Sequence, residues 1–236
     1  MKLLLILLKA LKLGKVLPAA GTMLLSVAVY AWLFGWWYAV GFVALLFVHE
    51  MGHYVAARRR GLAVGLPTFI PFVGAWVELK ELPHDAETEA YVGVAGPLAG
   101  TAGALGCFYL ARNLNSTLLL ALAYSGFFLN LFNLIPLAPF DGGRVTAAIS
   151  PNLWLIGAPL LVVVFFYSPS PLLILMALLA LPHVMKAWRG MRTPEEAAYY
   201  GVPAETRFLY GALYLGLAAF LAIMCEQLHA ELPHVH

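Results

Sequence analysis

The 236 residues are 62% hydrophobic and 11% charged, with a formal net charge of +2. Soluble domains carry about a quarter charged residues, so a soluble globular chain is excluded and an α-helical polytopic membrane protein is expected. The small net charge offers no electrostatic footprint for nucleic acid, and no nucleic-acid partner is expected.

Residues 1–16 are Leu-rich and interrupted by Lys2, Lys9, Lys12 and Lys15. A secretory leader keeps its lysines ahead of an unbroken apolar core. Here they recur through the run, as in an amphipathic helix lying at the membrane surface, so an uncleaved interfacial helix is expected. Spans are expected at 17–34, 36–57, 89–110, 117–137, 153–167, 171–186 and 208–227, of which 153–167 is short. That makes about six to seven transmembrane helices at roughly 20 residues each. With the amino terminus inside, the cytosolic side receives Lys2, Lys9, Lys12, Lys15, Arg58, Arg59, Arg60, Lys80, Arg144, Lys186, Arg189, Arg192 and Arg207. Arg112 alone falls outside, the asymmetry of a positive-inside topology. The chain then reads as three parts: an interfacial helix (1–16), a transmembrane catalytic core (17–144), and carboxy-terminal helices with a short cytosolic loop and tail (145–236).

The second span contains His49-Glu50-Met51-Gly52-His53. Residues four apart share a helix face, so His49 and His53 can offer two imidazole nitrogens to one cation. Glu50 beside them suits proton removal from water activated by that cation. Packing histidines would leave Glu50 without a reason, and ionisable groups at membrane depth are costly enough to make function the default reading. The motif lies near the cytosolic end of its span, so the metal site is expected to face the cytosol.

Residues 62–84 are broken by Gly65, Pro67, Pro71 and Gly74. Ala75, Trp76, Val77, Glu78, Leu79 and Lys80 alternate apolar and polar, a strand signal. Unpaired backbone is not tolerated in lipid, so a small β or re-entrant segment is expected at the cytosolic face. The third span carries Gly96 and Gly100, small residues four apart that permit close helix packing. Cys107 and Cys225 sit in apolar runs and are read as small hydrophobes rather than a disulfide.

The fourth span ends in Asn130-Leu131-Phe132-Asn133-Leu134-Ile135-Pro136-Leu137-Ala138-Pro139-Phe140-Asp141-Gly142-Gly143. The chain's aspartates are Asp85 and Asp141, and Asp141 is the one adjoining a span near the histidines' depth. Two histidines and a carboxylate, leaving a fourth position for water, form a catalytic Zn2+ arrangement.

H-E-x-x-H at 49–53, Ala95-Gly96-Pro97-Leu98, and Asn-x-x-Pro-x-x-Pro-x-Asp-Gly-Gly at 133–143 together resemble the site-2 protease family of intramembrane zinc metalloproteases. The resemblance covers roughly residues 36–144. It implies His49, His53 and Asp141 as zinc ligands, Glu50 as general base, and Asn133 as the amide that orients substrate or stabilises the oxyanion. Many relatives have proline where this chain has Ala138, a departure that removes no ligand. The activity implied is hydrolysis of peptide bonds in transmembrane segments, in the cell membrane of a prokaryote, with transmembrane proteins as substrates and the bilayer as surroundings. Residues Ala75, Trp76, Val77, Glu78 and Leu79 are the expected substrate-binding strand. A membrane metal-ion transporter would string its polar groups along a path through the bilayer, and a non-proteolytic membrane-protein chaperone would lack Glu50 or a ligand. Substrate identity and oligomeric state are not encoded in any motif.

Overall fold

The computed structural model describes residues 13–71, 74–76, 81 and 83–232. Most of the expected amino-terminal interfacial helix, Val77 to Lys80 of the expected strand, and the tail histidines His234 and His236 lie outside the described residues.

Helix α1 (Leu13–Phe34) and helix α2 (Trp36–Arg59) are joined by Gly35 alone, at φ 87°. That left-handed value favours glycine and lets the chain reverse within one residue. Two short strands follow, β1 (Thr68–Ile70) and β2 (Gly74–Trp76), paired antiparallel with Phe69 opposite Ala75. Thus Ala75 and Trp76 of the expected strand are extended, although β2 begins one residue earlier than the sequence pattern implied. Its partner β1 was not anticipated.

Helix α3 (Ala86–Leu114) begins at Asp85, whose carboxylate accepts from the Thr88 N–H at 2.6 Å. That cap, with Glu87 and Glu89 in the first turn, suits the positive end of the helix dipole. Asp85 is thereby committed to a structural task. Helix α3 packs against α2, helix α4 (Thr117–Asn133) and helix α5 (Asp141–Ile149), and is the centre of the bundle.

Helix α4 stops at Asn133, short of the expected 137, because Pro136 disfavours helical backbone at the residue before it. The chain tightens through Leu134 N–H to Leu131 O and Ile135 N–H to Phe132 O, then re-enters a helix at Asp141. Helix α5 was not expected from hydropathy, since its nine residues are too few to span. They are instead packed into the protein: Asp141, Gly142, Gly143, Val145, Thr146, Ala147 and Ala148 are buried.

A 3-10 turn (Pro151–Leu153) leads to α6 (Trp154–Tyr167), α7 (Pro171–Arg189), α8 (Pro194–Tyr199) and α9 (Ala204–Glu231). Helices α2, α3, α7 and α9 are long and apolar enough to cross a membrane, while Pro18–Phe34, Thr117–Asn133 and Pro151–Tyr167 are shorter apolar stretches. Phe166, Leu178, Trp188 and Phe208 are more than half exposed, a surface suited to lipid and unfavourable in water. Cys107 and Cys225 are free, as expected.

Candidate metal centre

The two histidines of α2 and the first residue of α5 meet at one point. His49 Nε2 and His53 Nε2 are 3.1 Å apart, and each lies 3.1 Å from Asp141 Oδ2. All three residues are buried, at 3%, 5% and 7% exposure. Local backbone chemistry shapes the segment that carries Asp141. The break at Pro136 and the short loop bring the start of α5 beneath α2 and α3, and Gly142 and Gly143 allow that approach. A Cβ at Gly142 would lie 2.2 Å from the Leu134 carbonyl oxygen, and one at Gly143 would lie 2.2 Å from the Ala138 nitrogen.

Hydrogen bonds on the far side of each ring decide what the near side offers. His53 Nδ1 lies 2.8 Å from the Val92 carbonyl oxygen, which can only accept, so Nδ1 carries the proton. His49 Nδ1 lies 2.8 Å from Asn130 Oδ1 and donates likewise. Both Nε2 atoms then present lone pairs, and Asp141 presents a carboxylate oxygen. Three acceptors facing one another in a buried site repel unless a cation joins them. A tetrahedral zinc with bonds of about 2.0–2.1 Å holds its ligand atoms roughly 3.3 Å apart, close to the spacing found. The donor set therefore fits Zn2+, and His49, His53 and Asp141 form the one His/Cys/Asp/Glu group among the described residues that could hold a metal ion.

Glu50 is 5% exposed and within electrostatic reach of His49, His53, Asp141 and Arg144. Arg144 Nη1 stands 4.0 Å from Asp141 Oδ1, the oxygen turned away from the histidines. Asn133 ends α4 half-buried, and its amide Nδ2 donates to Leu129 O at 3.0 Å. Among the described residues its amide makes no hydrogen bond to the two histidines or Asp141. Ala75 and Trp76 lie in β2, away from these hydrogen bonds, and Val77, Glu78 and Leu79 are outside the described residues.

Sequence reasoning missed Asn130 and Val92. An amide in an otherwise apolar span was a readable signal for Asn130. No side-chain signal marks a backbone carbonyl such as that of Val92. The glycines of α3 were read as general packing, and two of them have a more specific task. A Cβ at Gly96 would lie 2.2 Å from His53 Nε2, and one at Gly100 would lie 2.3 Å from Asn130 Oδ1.

The carboxy-terminal helices hold α5 from behind. Trp154 Nε1 donates to Gly143 O at 2.9 Å, and the Tyr214 hydroxyl donates to Leu134 O. Arg207 donates to Ile149 O, Tyr200 O and Val202 O at 2.8–2.9 Å, satisfying carbonyls at the end of α5 and in the loop before α9.

The family model for Peptidase family M50 matches residues 37–116, which include both histidines and Glu50. The putative zinc metalloprotease Rip3 of Mycobacterium tuberculosis is 38% identical over 130 residues, covering 51% of this chain and 33% of that protein. The zinc metalloprotease MJ0392 of Methanocaldococcus jannaschii is 33% identical over 121 residues, covering 48% of this chain and 34% of that protein.

The chain is similar to Peptidase family M50 over residues 37–116, and to these two zinc metalloproteases over about half its length.

A solved structure of the site-2 protease from Methanocaldococcus jannaschii aligns with a TM-score of 0.46 at 22% identity, covering 72% of this chain and 87% of that one. The chain spans about a third of the length of the curated relatives it matches, 33% and 34% of the two named above.

Proposed function

We propose that the chain is a zinc metallopeptidase that hydrolyses peptide bonds within membrane-spanning segments of other proteins. The observation that carries this reading is the convergence of three buried acceptor atoms, 3.1 Å apart, from His49, His53 and Asp141. Zinc bound there supplies a Lewis acid that makes water nucleophilic near neutral pH and polarises the scissile carbonyl. His49, His53 and Asp141 hold the ion. Glu50, next to His49 in the same buried cluster, takes the proton from the attacking water and passes it to the leaving amine. Asn133, at the end of α4, is the candidate donor for the oxyanion, and its Nδ2 would turn from Leu129 O toward substrate. Arg144 adds positive charge on the Asp141 side of the site.

A substrate helix hides its carbonyls in its own hydrogen bonds and must unwind before attack. Strand β2 is the candidate to receive the unwound segment by main-chain pairing. The Phe69 N–H donates to Thr22 Oγ1 of α1 at 3.2 Å, so it points away from β2. In an antiparallel ladder its partner Ala75 then turns its own N–H and C=O to the opposite edge. Helix α1 thus covers one edge of the hairpin, and β2 forms the opposite edge, the candidate for pairing with substrate.

The reading takes six to seven spans in the membrane of a prokaryotic cell, and the positive-inside distribution of lysine and arginine supports an orientation with the amino terminus and the metal site toward the cytosol. A metal-ion transporter is disfavoured by the single metal-binding group among the described residues, since a path needs several. The test is a comparison of membrane-protein fragments in cells expressing the parent chain or Glu50→Gln. Fragments confined to the parent support peptidase action. Identical fragment patterns, with equal zinc in both proteins, overturn it.

A further inference from the structure

We propose that Asn130 is a positioning residue that fixes the tautomer and ring angle of His49, so that zinc affinity depends on an amide that touches no metal. The inference rests on the zinc reading of the site and assigns a new residue to it.

Asn130 is 1% exposed, in the middle of α4. Its Nδ2 lies 2.7 Å from the Gly126 carbonyl oxygen, one turn earlier on the same helix. A carbonyl only accepts, so the amide's NH2 end must face Gly126 and its oxygen must face His49. Asn130 Oδ1 in turn lies 2.8 Å from His49 Nδ1, which must carry the proton. The direction of each bond follows from the one before, from a backbone carbonyl to the lone pair on His49 Nε2.

The amide has no room to swing away. A Cβ at Gly100 would lie 2.3 Å from Asn130 Oδ1 and 2.6 Å from Nδ2, so the side chain fills the niche that glycine leaves on α3. One amide therefore ties three helices together at the metal site: α4 carries it, α3 walls it in, and His49 on α2 receives its direction.

The two histidines are held by different means. His53 donates to a backbone oxygen, that of Val92, which no side-chain substitution removes. His49 depends on a side chain. Partners behind metal-bound histidines fix ring orientation and raise basicity, and their loss commonly lowers metal affinity about 10–100-fold.

The experiment measures zinc affinity of the full chain in detergent by chelator competition, with thermal midpoints of the metal-free proteins alongside. Asn130→Leu keeps the branched outline of the side chain and removes the acceptor; it should bind zinc about 10–100-fold more weakly than the parent. Asn130→Asp keeps an acceptor at the same place and should stay within a few-fold of the parent. A parent-like affinity in Asn130→Leu overturns the assignment. So does a folded Asn130→Asp that binds as poorly as Asn130→Leu, because packing rather than the acceptor would then be at work. If Asn130→Leu does not fold, Asn130→Asp decides alone, retained affinity supporting the assignment and lost affinity overturning it. A parent chain that takes up no zinc overturns the metal reading itself, which separates that failure from failure of the Asn130 role.

Discussion

His53 occupies space that any side chain at position 96 would need, since a Cβ on Gly96 would lie 2.2 Å from its Nε2. The ring is also tied to the Val92 oxygen at 2.8 Å, so it cannot retreat without losing the bond that sets its tautomer. Gly96→Ala gains about 1 kcal/mol of helix propensity, whereas overpacking costs about 1–3 kcal/mol. Overall stability should therefore fall by about 0–2 kcal/mol, while zinc affinity falls at least tenfold. Thermal unfolding of the metal-free protein and chelator competition separate the two effects. Unchanged zinc affinity would show that the ring can tilt aside.

Asp141→Ala should lower zinc affinity and peptidase activity together, by at least the roughly 10–100-fold typical of lost supporting residues. Asp85 cannot take over, because its carboxylate caps α3 through the Thr88 N–H at 2.6 Å. Metal content after dialysis against a weak chelator gives the measurement. Full zinc retention with full activity would require another ligand.

Pairing at β2 makes a position-specific prediction. Ala75→Pro removes an N–H turned away from β1, so the hairpin should survive and zinc should remain bound while cleavage falls. Trp76→Pro instead strikes a residue paired with Thr68 inside the hairpin and should disturb the hairpin itself. Cleavage of a model transmembrane substrate, with zinc content checked for each variant, tests the contrast. Normal cleavage by a zinc-loaded Ala75→Pro chain would leave β2 as a connector.

The loop carrying α8 is clasped by Glu196, whose carboxylate accepts from the Arg192 N–H at 2.9 Å and from Arg189 at 2.7 Å, with Lys186 Nζ 3.3 Å away. The Arg192 backbone bond first, and then Lys186 and Arg189, bring its pKa down to about 2 from the ordinary 4.5. A carboxyl that titrates lower when folded stabilises fully above its ordinary pKa and loses that contribution as pH falls through the folded value. The clasp should hold above about 4.5 and weaken between there and about 2. Pepsin nicking within residues 190–203, normalised to a peptide of the same sequence, should rise over that interval in the parent chain. In Glu196→Gln it should be high throughout; equal nicking in both would show that the clasp does not order the loop.

Much of the site was legible in the sequence because its chemistry is costly in an apolar setting. His49, Glu50, His53 and Asp141 stand out against runs of Leu, Val, Ala and Phe, and a period of four residues is enough to put both histidines on one helix face. The prolines at 136 and 139 marked the end of α4 through backbone chemistry alone, to within a few residues. Hydropathy could not find α5, because a short helix buried by protein rather than lipid has neither the length nor the composition of a span. Only the tertiary structure brings Asp141 to the histidines, about 90 residues away along the chain. It alone turns Gly96 and Gly100 from packing residues into the spaces that His53 and Asn130 fill. It also supplies Val92 O, a partner with no side-chain signature. The reason is physical: residue type fixes which groups can bind or donate, whereas their direction depends on hydrogen bonds and close contacts between helices that no local pattern records.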